Sequence, residues 1–410
     1  MKLLLVNTSI NSTSTGRIAE EIGRYASKAG YEVSAGYGFV NNKSQLDTIK
    51  IGTKSDHYLH ALYTRLADRH GFGSSRATAK FLQRVDEIAP DIVNLHNIHG
   101  YYLNVELLAK YLSRKGIPVI WTFHDCWPFT GHCSYFDAVH CDLWKSGCRN
   151  CPNKHGYPES ILADNSEKNY NEKRRLFCAI PNLTIVSPCH WMAENVKASF
   201  LGRFPVRVIY NGVDTDVFKP ACAGMVSHLK HEKGLDGKKI ILGVASVWDR
   251  RKGLEDFIRL GKMLSDNERI VLIGLNSKQL ASLPENIIGI SRTENTAQLA
   301  EYYSMADVFV NPTYVDNFPT TNIEALACGT PVVTYNTGGS PEAIDNTTGR
   351  VVDKGDIVSL LNEIRSRYKN EEISKKCRER AVGNFDSRDR FRDYVNLFND
   401  ICTTTHSDQN

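Results

Sequence analysis

NPTYVDNFPTTNIEALACGTPVVTYNTGGSPEAI, Asn311 to Ile344, passes through three changes of backbone character. The strand DVFVNP runs out at Pro312, and a segment of turn formers leads to Pro319 and Thr320. The helix TNIEALACG follows, then the strand PVVTYNT and a turn through Gly338 and Gly339. Strand, helix and strand in that order make the crossover unit of a parallel sheet.

The same alternation extends in both directions. Downstream of Lys238, KKIILGVAS, GLEDFIRLGKML, RIVLIGL and NTAQLAEYYSMA read as strand, helix, strand and helix. In the first half the strands are KLLLVN, YEVSAGYG, DIVNLHN, PVIWTFHD and LTIVSP. The helices among them are TGRIAEEIGRYASKAG, RATAKFLQRVDEIAP, NVELLAKYLSRKG and HWMAENVKASF. Helices on both faces of two parallel sheets are expected, an α/β architecture of two doubly wound domains facing across a cleft. At 410 residues the chain exceeds one hydrophobic core. The turn-rich segment Tyr210–Gly224 is the expected link. The domains are placed at 1–212 and 213–384, with a last helix at 385–410.

A composition 41% hydrophobic and 23% charged is that of a soluble globular protein, and a net charge of +4 gives no reason to expect a nucleic-acid partner. The apolar run Leu3–Val6 is too short for a signal peptide or a membrane span and reads as a buried first strand. The expectation is a cytoplasmic protein, where structural disulfides are disfavoured.

Ligands of open α/β sheets bind beyond the carboxyl ends of the strands, so the strand-to-helix junctions are the places to look. In the opening segment Asp316 and Glu324 stand eight residues apart. Pro319, Thr320 and Thr321 begin a helix whose unpaired N–H groups attract an anion. Glu324, one turn in, is placed to accept hydrogen bonds from a diol. The Gly338–Gly339 turn lets backbone approach a ligand.

These residues resemble the sugar-nucleotide site of retaining glycosyltransferases of the GT-B fold, most closely family 4. That signature is Glu-x7-Glu, a small-residue helix, a strand, Gly-Gly and a further Glu. Here the acids are Asp316, in place of the first Glu, then Glu324 and Glu342. The resemblance implies that the first acid reads the donor sugar and the second the ribose, with Asn317 and Phe318 lining the donor site. VASVWDRRKGLEDFI resembles the stretch whose cations hold the diphosphate. Lys252 matches its lysine, Arg251 precedes it, Ser246 replaces its first arginine, and Arg250 or Arg251 is left to supply that charge. His124, ending VIWTFHD, matches a histidine beside the donor sugar. Gly16 and Arg17 take the place of the glycine-rich loop, and His96 and His99 are cleft-lining or structural. Arg292, in GISRTENT, is assigned near the base.

The resemblance implies transfer of a sugar, with retention, from a nucleoside-diphosphate sugar to a glycan or lipid-linked glycan in bacterial capsular or exopolysaccharide synthesis. Proton transfer to the leaving phosphate needs no protein nucleophile, and no catalytic metal is expected. A GT-B epimerase and a catalytically weak sugar-nucleotide-binding protein are the alternatives. The basic stretch EKRRLF (Glu172–Phe177) and the series Arg65, Arg69, Arg76, Lys80 and Arg84 suit either peripheral contact with an anionic membrane or a solvated face.

Between Cys126 and Pro152 lies an insertion similar to one in a subset of bacterial polysaccharide glycosyltransferases. Cys133, Cys141, Cys148 and Cys151 follow C-x7-C-x6-C-x2-C, and the closing C-x2-C is a zinc knuckle's spacing. Four thiolates would leave no open position, so the expectation is a structural zinc ion. His132, His140 and Cys126 are substitute ligands; a regulatory disulfide or free packed thiols are the other readings.

Overall fold

The computed structural model describes residues 1–407 and divides into two compact units, 1–209 with 391–410, and 210–390. Residues 408–410, the end of the expected last helix, lie outside the described residues. The first unit holds seven strands: β1 (Lys2–Asn7), β2 (Glu32–Tyr37), β3 (Asp47–Lys50), β4 (Ile92–Leu95), β5 (Val119–Thr122), β6 (Leu183–Ser187) and β7 (Val206–Val208). Their order is β3-β2-β1-β4-β5-β6-β7, parallel throughout. The second unit holds β8 (Lys239–Val244), β9 (Glu268–Ile273), β10 (Ile287–Ile290), β11 (Val308–Asn311), β12 (Val332–Tyr335) and β13 (Gly349–Val352). They run β10-β9-β8-β11-β12-β13, again parallel. The neighbours β1 and β4, and β8 and β11, mark the reversal of strand order in each sheet. Loops leaving neighbouring strands part there and open a crevice.

The central strands β4, β5, β11 and β12 are buried at every position, as parallel strands covered on both faces must be. The second unit's core gathers Ile241, Phe257, Leu260, Leu272, Val310 and Leu360. In the first unit Leu3, Leu5, Ile22 and Ala35 pack with Phe391, Val395 and Phe398 of the last helix, Ser387–Ser407. Tyr31 also donates to Asn399 at 2.7 Å. Truncating a side chain as buried as Phe398, with no exposed surface, costs about 3–5 kcal/mol.

The unit boundaries fall after Ile209 and Arg390 rather than after 212 and 384. Backbone bonds explain the shift: Val213 N–H donates to Phe385 O at 2.8 Å and Ser387 N–H to Val213 O at 2.9 Å, which binds the link to the second unit. The stretch EKRRLF is a solvated basic face only in part: Arg174 and Arg175 are exposed, but Lys173 is not. It ends the helix Ser166–Phe177, where Lys173 is buried and donates to Trp127 O at 2.8 Å and Thr130 O at 3.0 Å. Arg69 is drawn inward as well, onto Asn169 at 2.7 Å and Glu172 at 2.5 Å.

Two buried histidines of the first unit work as uncharged acceptors. His60 Nε2 takes the N–H groups of Gly71 and Gly73 at 3.2 and 3.1 Å, and His70 Nε2 takes that of Gly100 at 3.0 Å. Burial pushes His60 down to about 4 and His70 well below the usual histidine range. His124 is likewise held at about 4, and His96 well below, by burial. Above pH 6.5 such a ring is neutral both folded and unfolded. Between 6.5 and about 4 only the unfolded ring takes up a proton, so stability falls with falling pH by up to about 1.4 kcal/mol per unit for each ring. Urea unfolding midpoints followed from pH 7 to 5 should decline, and His60→Gln should flatten that decline.

Candidate active site

In the second unit, the loops that leave β8, β11 and β12 are tied to one another. After β8 the chain makes a single 3₁₀ turn, Arg250–Lys252, opened by Asp249, whose carboxylate accepts the Lys252 N–H at 3.0 Å. Gly253 closes the turn at φ +75°, and a Cβ there would stand 2.3 Å from Pro312 O. Only glycine lets the turn lie against the β11 loop this closely. Arg251 O then accepts from Tyr314 N at 2.8 Å and Thr313 Oγ1 at 3.2 Å.

Across this seam Lys252 Nζ meets Asp316 Oδ2 at 2.5 Å, with the two side chains about one-fifth exposed, at 23% and 18%. The β11 loop rests in turn on the loop after β12. Gly338, at φ +52°, would place a Cβ 1.9 Å from Asp316 O, and Gly339 N–H donates to Asn317 O at 2.8 Å. The paired glycines therefore serve loop-on-loop packing, a role that the sequence reading gave to ligand approach. Beneath them Asn322 accepts from Asn311 at 2.8 Å and donates to Ser340 Oγ at 3.0 Å. Thr334 Oγ1 lies 2.8 Å from the same hydroxyl. A satisfied buried network of this kind fixes the loops rigidly.

The helix Thr320–Ala327 starts from Pro319, shortly after Asp316 in the chain. Glu324 accepts from the hydroxyl of buried Tyr303 at 2.9 Å. Thr320, Thr321 and Glu324 are half-buried. Arg250 and Arg292 are exposed, Arg251 is half-buried, and Ser246 lies exposed in the β8 loop. Glu342 accepts from Tyr210 at 3.2 Å. Phe318 departs from expectation: it is 5% exposed and packs on Tyr210 and Phe385, ring centroids 5.2 and 5.9 Å away, as an anchor of the loop. Asn317 is buried too, its carbonyl taken by Gly339.

In the first unit the chemistry gathers at the carboxyl ends of β4 and β5. Asn94 donates from Nδ2 to Ile120 O at 3.1 Å and to Thr122 Oγ1 at 3.2 Å, which orients its amide. Its Oδ1 then accepts from His96 Nε2 at 3.1 Å, and His96 Nδ1 lies 3.0 Å from His124 Nε2. With His96 protonated on Nε2, its Nδ1 accepts from His124 Nε2–H. That leaves Nδ1 as the acceptor nitrogen of His124. The rings stack at 5.3 Å. Beside them His99 Nε2 meets Asp125 Oδ2 at 2.8 Å, a hydrogen-bond partner rather than a group turned to a ligand. Gly16 sits buried in the first turn of the helix Thr13–Lys28, where a Cβ would press on Ser9 O at 2.8 Å; Arg17 is exposed.

Cys133, Cys141, Cys148 and Cys151 line one cavity of about 10 Å³ together with His132. Cys126 and His140 do not line it; Cys126 is buried elsewhere and His140 is exposed. Sequence reasoning missed Asn94, Asn322, Ser340 and Tyr303, which orient the site's groups. Each lies inside a regular element or a turn and has no motif of its own.

Residues 15–217 match the model "Glycosyltransferase Family 4" and residues 226–383 the model "Glycosyl transferases group 1". The putative colanic acid biosynthesis glycosyl transferase WcaC of Escherichia coli K12 is 23% identical over 98% of this chain and 100% of its own length. Sucrose-phosphate synthase from Thermosynechococcus elongatus superposes with a TM-score of 0.72 at 15% identity, covering 98% of this chain and 100% of that one. Anabaena HepE in complex with UDP-glucose gives 0.67 at 14% identity, covering 98% and 100%. Two parallel-sheet units, matched over residues 15–217 and 226–383 by these glycosyltransferase models, make the chain a glycosyltransferase of the GT-B fold.

Proposed function

We propose that this enzyme transfers a sugar, with retention, from a uridine-diphosphate sugar to a glycan or lipid-linked glycan during bacterial surface polysaccharide synthesis. The observation that carries the reading is the Lys252–Asp316 pair at the β8–β11 crevice, beside the start of the helix that bears Glu324. HepE is described in complex with UDP-glucose, and WcaC is named for colanic acid biosynthesis; both point to this donor and product class.

In this reading Glu324, held by Tyr303, accepts the ribose hydroxyls. Asp316 reads a hydroxyl of the sugar. Lys252, Arg250, Arg251 and the N–H groups before Thr321 face the diphosphate, and their charge grows in effect as the leaving group develops its own. The acceptor oxygen bonds to the anomeric carbon as the carbon–phosphate-oxygen bond breaks on the same face. The acceptor proton passes to the departing phosphate oxygen. His124 is the residue of the first unit proposed to read a sugar hydroxyl. These cations are the charge source of the reading, so the transfer is proposed to run without a metal.

We place the enzyme in the cytoplasm, against the membrane's inner face. No helix among the described residues is long and apolar enough to cross a bilayer. The helix Lys54–Ala67 instead exposes Tyr58, Leu59, Leu62, Tyr63 and Leu66, and Ile161 and Leu162 stand exposed on the segment bonded to its last turn. An apolar helix face of this kind suits the interfacial zone of a bilayer.

A uridine-diphosphate sugar at a hundred times its Kd should add about 2.7 kcal/mol of stability, a clear melting shift, while GDP- and dTDP-sugars should not. Glu324→Ala should abolish the shift, and Lys252→Ala should lower kcat by about 10²–10³-fold with the fold intact; full turnover in either variant would refute the site. Release of free UDP with acceptor, rather than an isomerised donor, separates transfer from epimerisation. His96→Phe keeps the ring stack but frees the His124 tautomer, and should lower kcat about tenfold, one hydrogen bond's worth, with KM little changed. Paired Leu59→Glu and Leu62→Glu substitutions should weaken co-sedimentation with anionic vesicles.

A further inference from the structure

The loop from Cys126 to Pro152 has only three short 3₁₀ turns, at Trp127–Phe129, Phe136–Val139 and Leu143–Lys145. An irregular stretch this long inside a packed unit needs something to hold it. Its interior is the cavity of about 10 Å³ on which Cys133, Cys141, Cys148 and Cys151 converge, room for about one small sphere. The four come from three separate places along the loop, and no disulfide joins any of them.

Several features of this cavity call for negative charge inside it. Trp144 Nε1 and His132 Nε2 are buried at its wall and have no hydrogen-bond partner. His132 is already turned by Asp68, which takes Nδ1 at 2.5 Å and is itself held by Asn165 N–H at 2.8 Å. Gly131 N–H is directed at Cys148 Sγ at 3.1 Å, the type of bond that steadies a thiolate. Arg149 lines the cavity, and the ammonium of Lys173 is buried nearby on the carbonyls of Trp127 and Thr130. Neutral thiols would leave the buried Trp144 N–H group without a worthy acceptor.

We propose that this loop binds one zinc ion through the thiolates of Cys133, Cys141, Cys148 and Cys151, as a structural staple closed to water. On binding, each of the four S–H groups loses its proton to solvent and four Zn–S bonds form, with no change of oxidation state. The product carries two negative charges, which Lys173 and Arg149 offset. Among the described residues no group of three His, Cys, Asp or Glu side chains already has the geometry to hold a metal ion. Loading therefore turns the thiols inward about their Cα–Cβ bonds and draws the loop tight. Trp144, against Phe136 and Phe129 at 4.8 and 5.1 Å, and the Asp164 carboxylate, which accepts Cys151 N–H at 2.6 Å, hold the loop from outside. The four cysteines belong to the first unit and Lys252, Asp316 and Glu324 to the second, so the proposal stands whether or not the donor assignment does.

Elemental analysis of the full-length, tag-free chain, purified from zinc-supplemented medium, decides it. About one zinc per chain is expected. Fewer than ~0.2 in protein with a native circular-dichroism spectrum overturns the proposal, because structural zinc sites bind tightly. Cobalt added to chelator-stripped protein should give the absorption of a tetrahedral thiolate complex. Cys148→Ser should lose the metal, and Cys222→Ser, at an exposed cysteine elsewhere, should keep it. Should Cys148→Ser fail to fold, alkylation of the wild-type chain still answers: four thiols should be shielded until the zinc is removed. Equal labelling before and after chelation, or a mass deficit showing a disulfide among the four, overturns the proposal.

Discussion

Every strand in both units is paired in parallel, and most of the molecule follows from that. Parallel neighbours cannot be joined by a hairpin, so each connection returns over a face of the sheet, and the central strands are sealed from water on both sides. A ligand cannot reach the inside of such a sheet. The proposed working groups are left to the edge where the strands end: His96 and His124 past β4 and β5, with Asn94 near the end of β4 orienting them, and Lys252, Asp316 and Glu324 past β8 and β11. The reversal of strand order parts the neighbouring loops, and the chemistry collects in the gap.

The two edges are built from different materials. In the second unit the loops are braced by one another, through close glycine contacts and a buried net of Asn311, Asn322, Thr334 and Ser340. Such bracing lets cations and helix N–H groups stand ready before any ligand arrives, and they need not reorganise as charge develops. The Lys252–Asp316 pair ties the β8 loop to the β11 loop through its two charges. In the first unit the groups are uncharged imidazoles, kept so by burial and ordered by a chain of directional hydrogen bonds. An amide two bonds away from His124 decides which of its nitrogens accepts.

The cysteine loop supplies order by a third means. It cannot build a core of its own, and aromatic contacts, a buried lysine and two aspartates hold it from without. Its neighbours His70, His99 and Trp127 pack against one another, ring centroids 5.1–5.6 Å apart, so the loop's order is passed to the β4 and β5 ends. A loop insertion thus bears on the geometry of the site without touching its chemistry.

The inner strands were legible in the sequence, because burial on both faces writes a continuous apolar run, as in KLLLVN or KKIILGV. The four strands that escaped, β3, β7, β10 and β13, are the four edges of the two sheets. Asp47 and Lys50 in β3 and an arginine in each of β7 and β13 make these half-exposed edges read as loops, while β10 is a short apolar run interrupted by Gly289. The acids, the lysine and the paired glycines at the β8, β11 and β12 loops were legible as well, since their spacing along the chain is itself the signal. What those glycines and Phe318 do was not. Gly338 meets Asp316 O, and Phe318 meets Phe385, across stretches of chain that spacing cannot relate. The same holds for Lys173, which reads as a solvated cation and lies buried on two carbonyls. The sequence by itself determined the parallel α/β fold and the ends of the strands where ligands go. Only the tertiary structure decided which side chains face a ligand and which hold those that do, because contacts between distant segments are settled by packing.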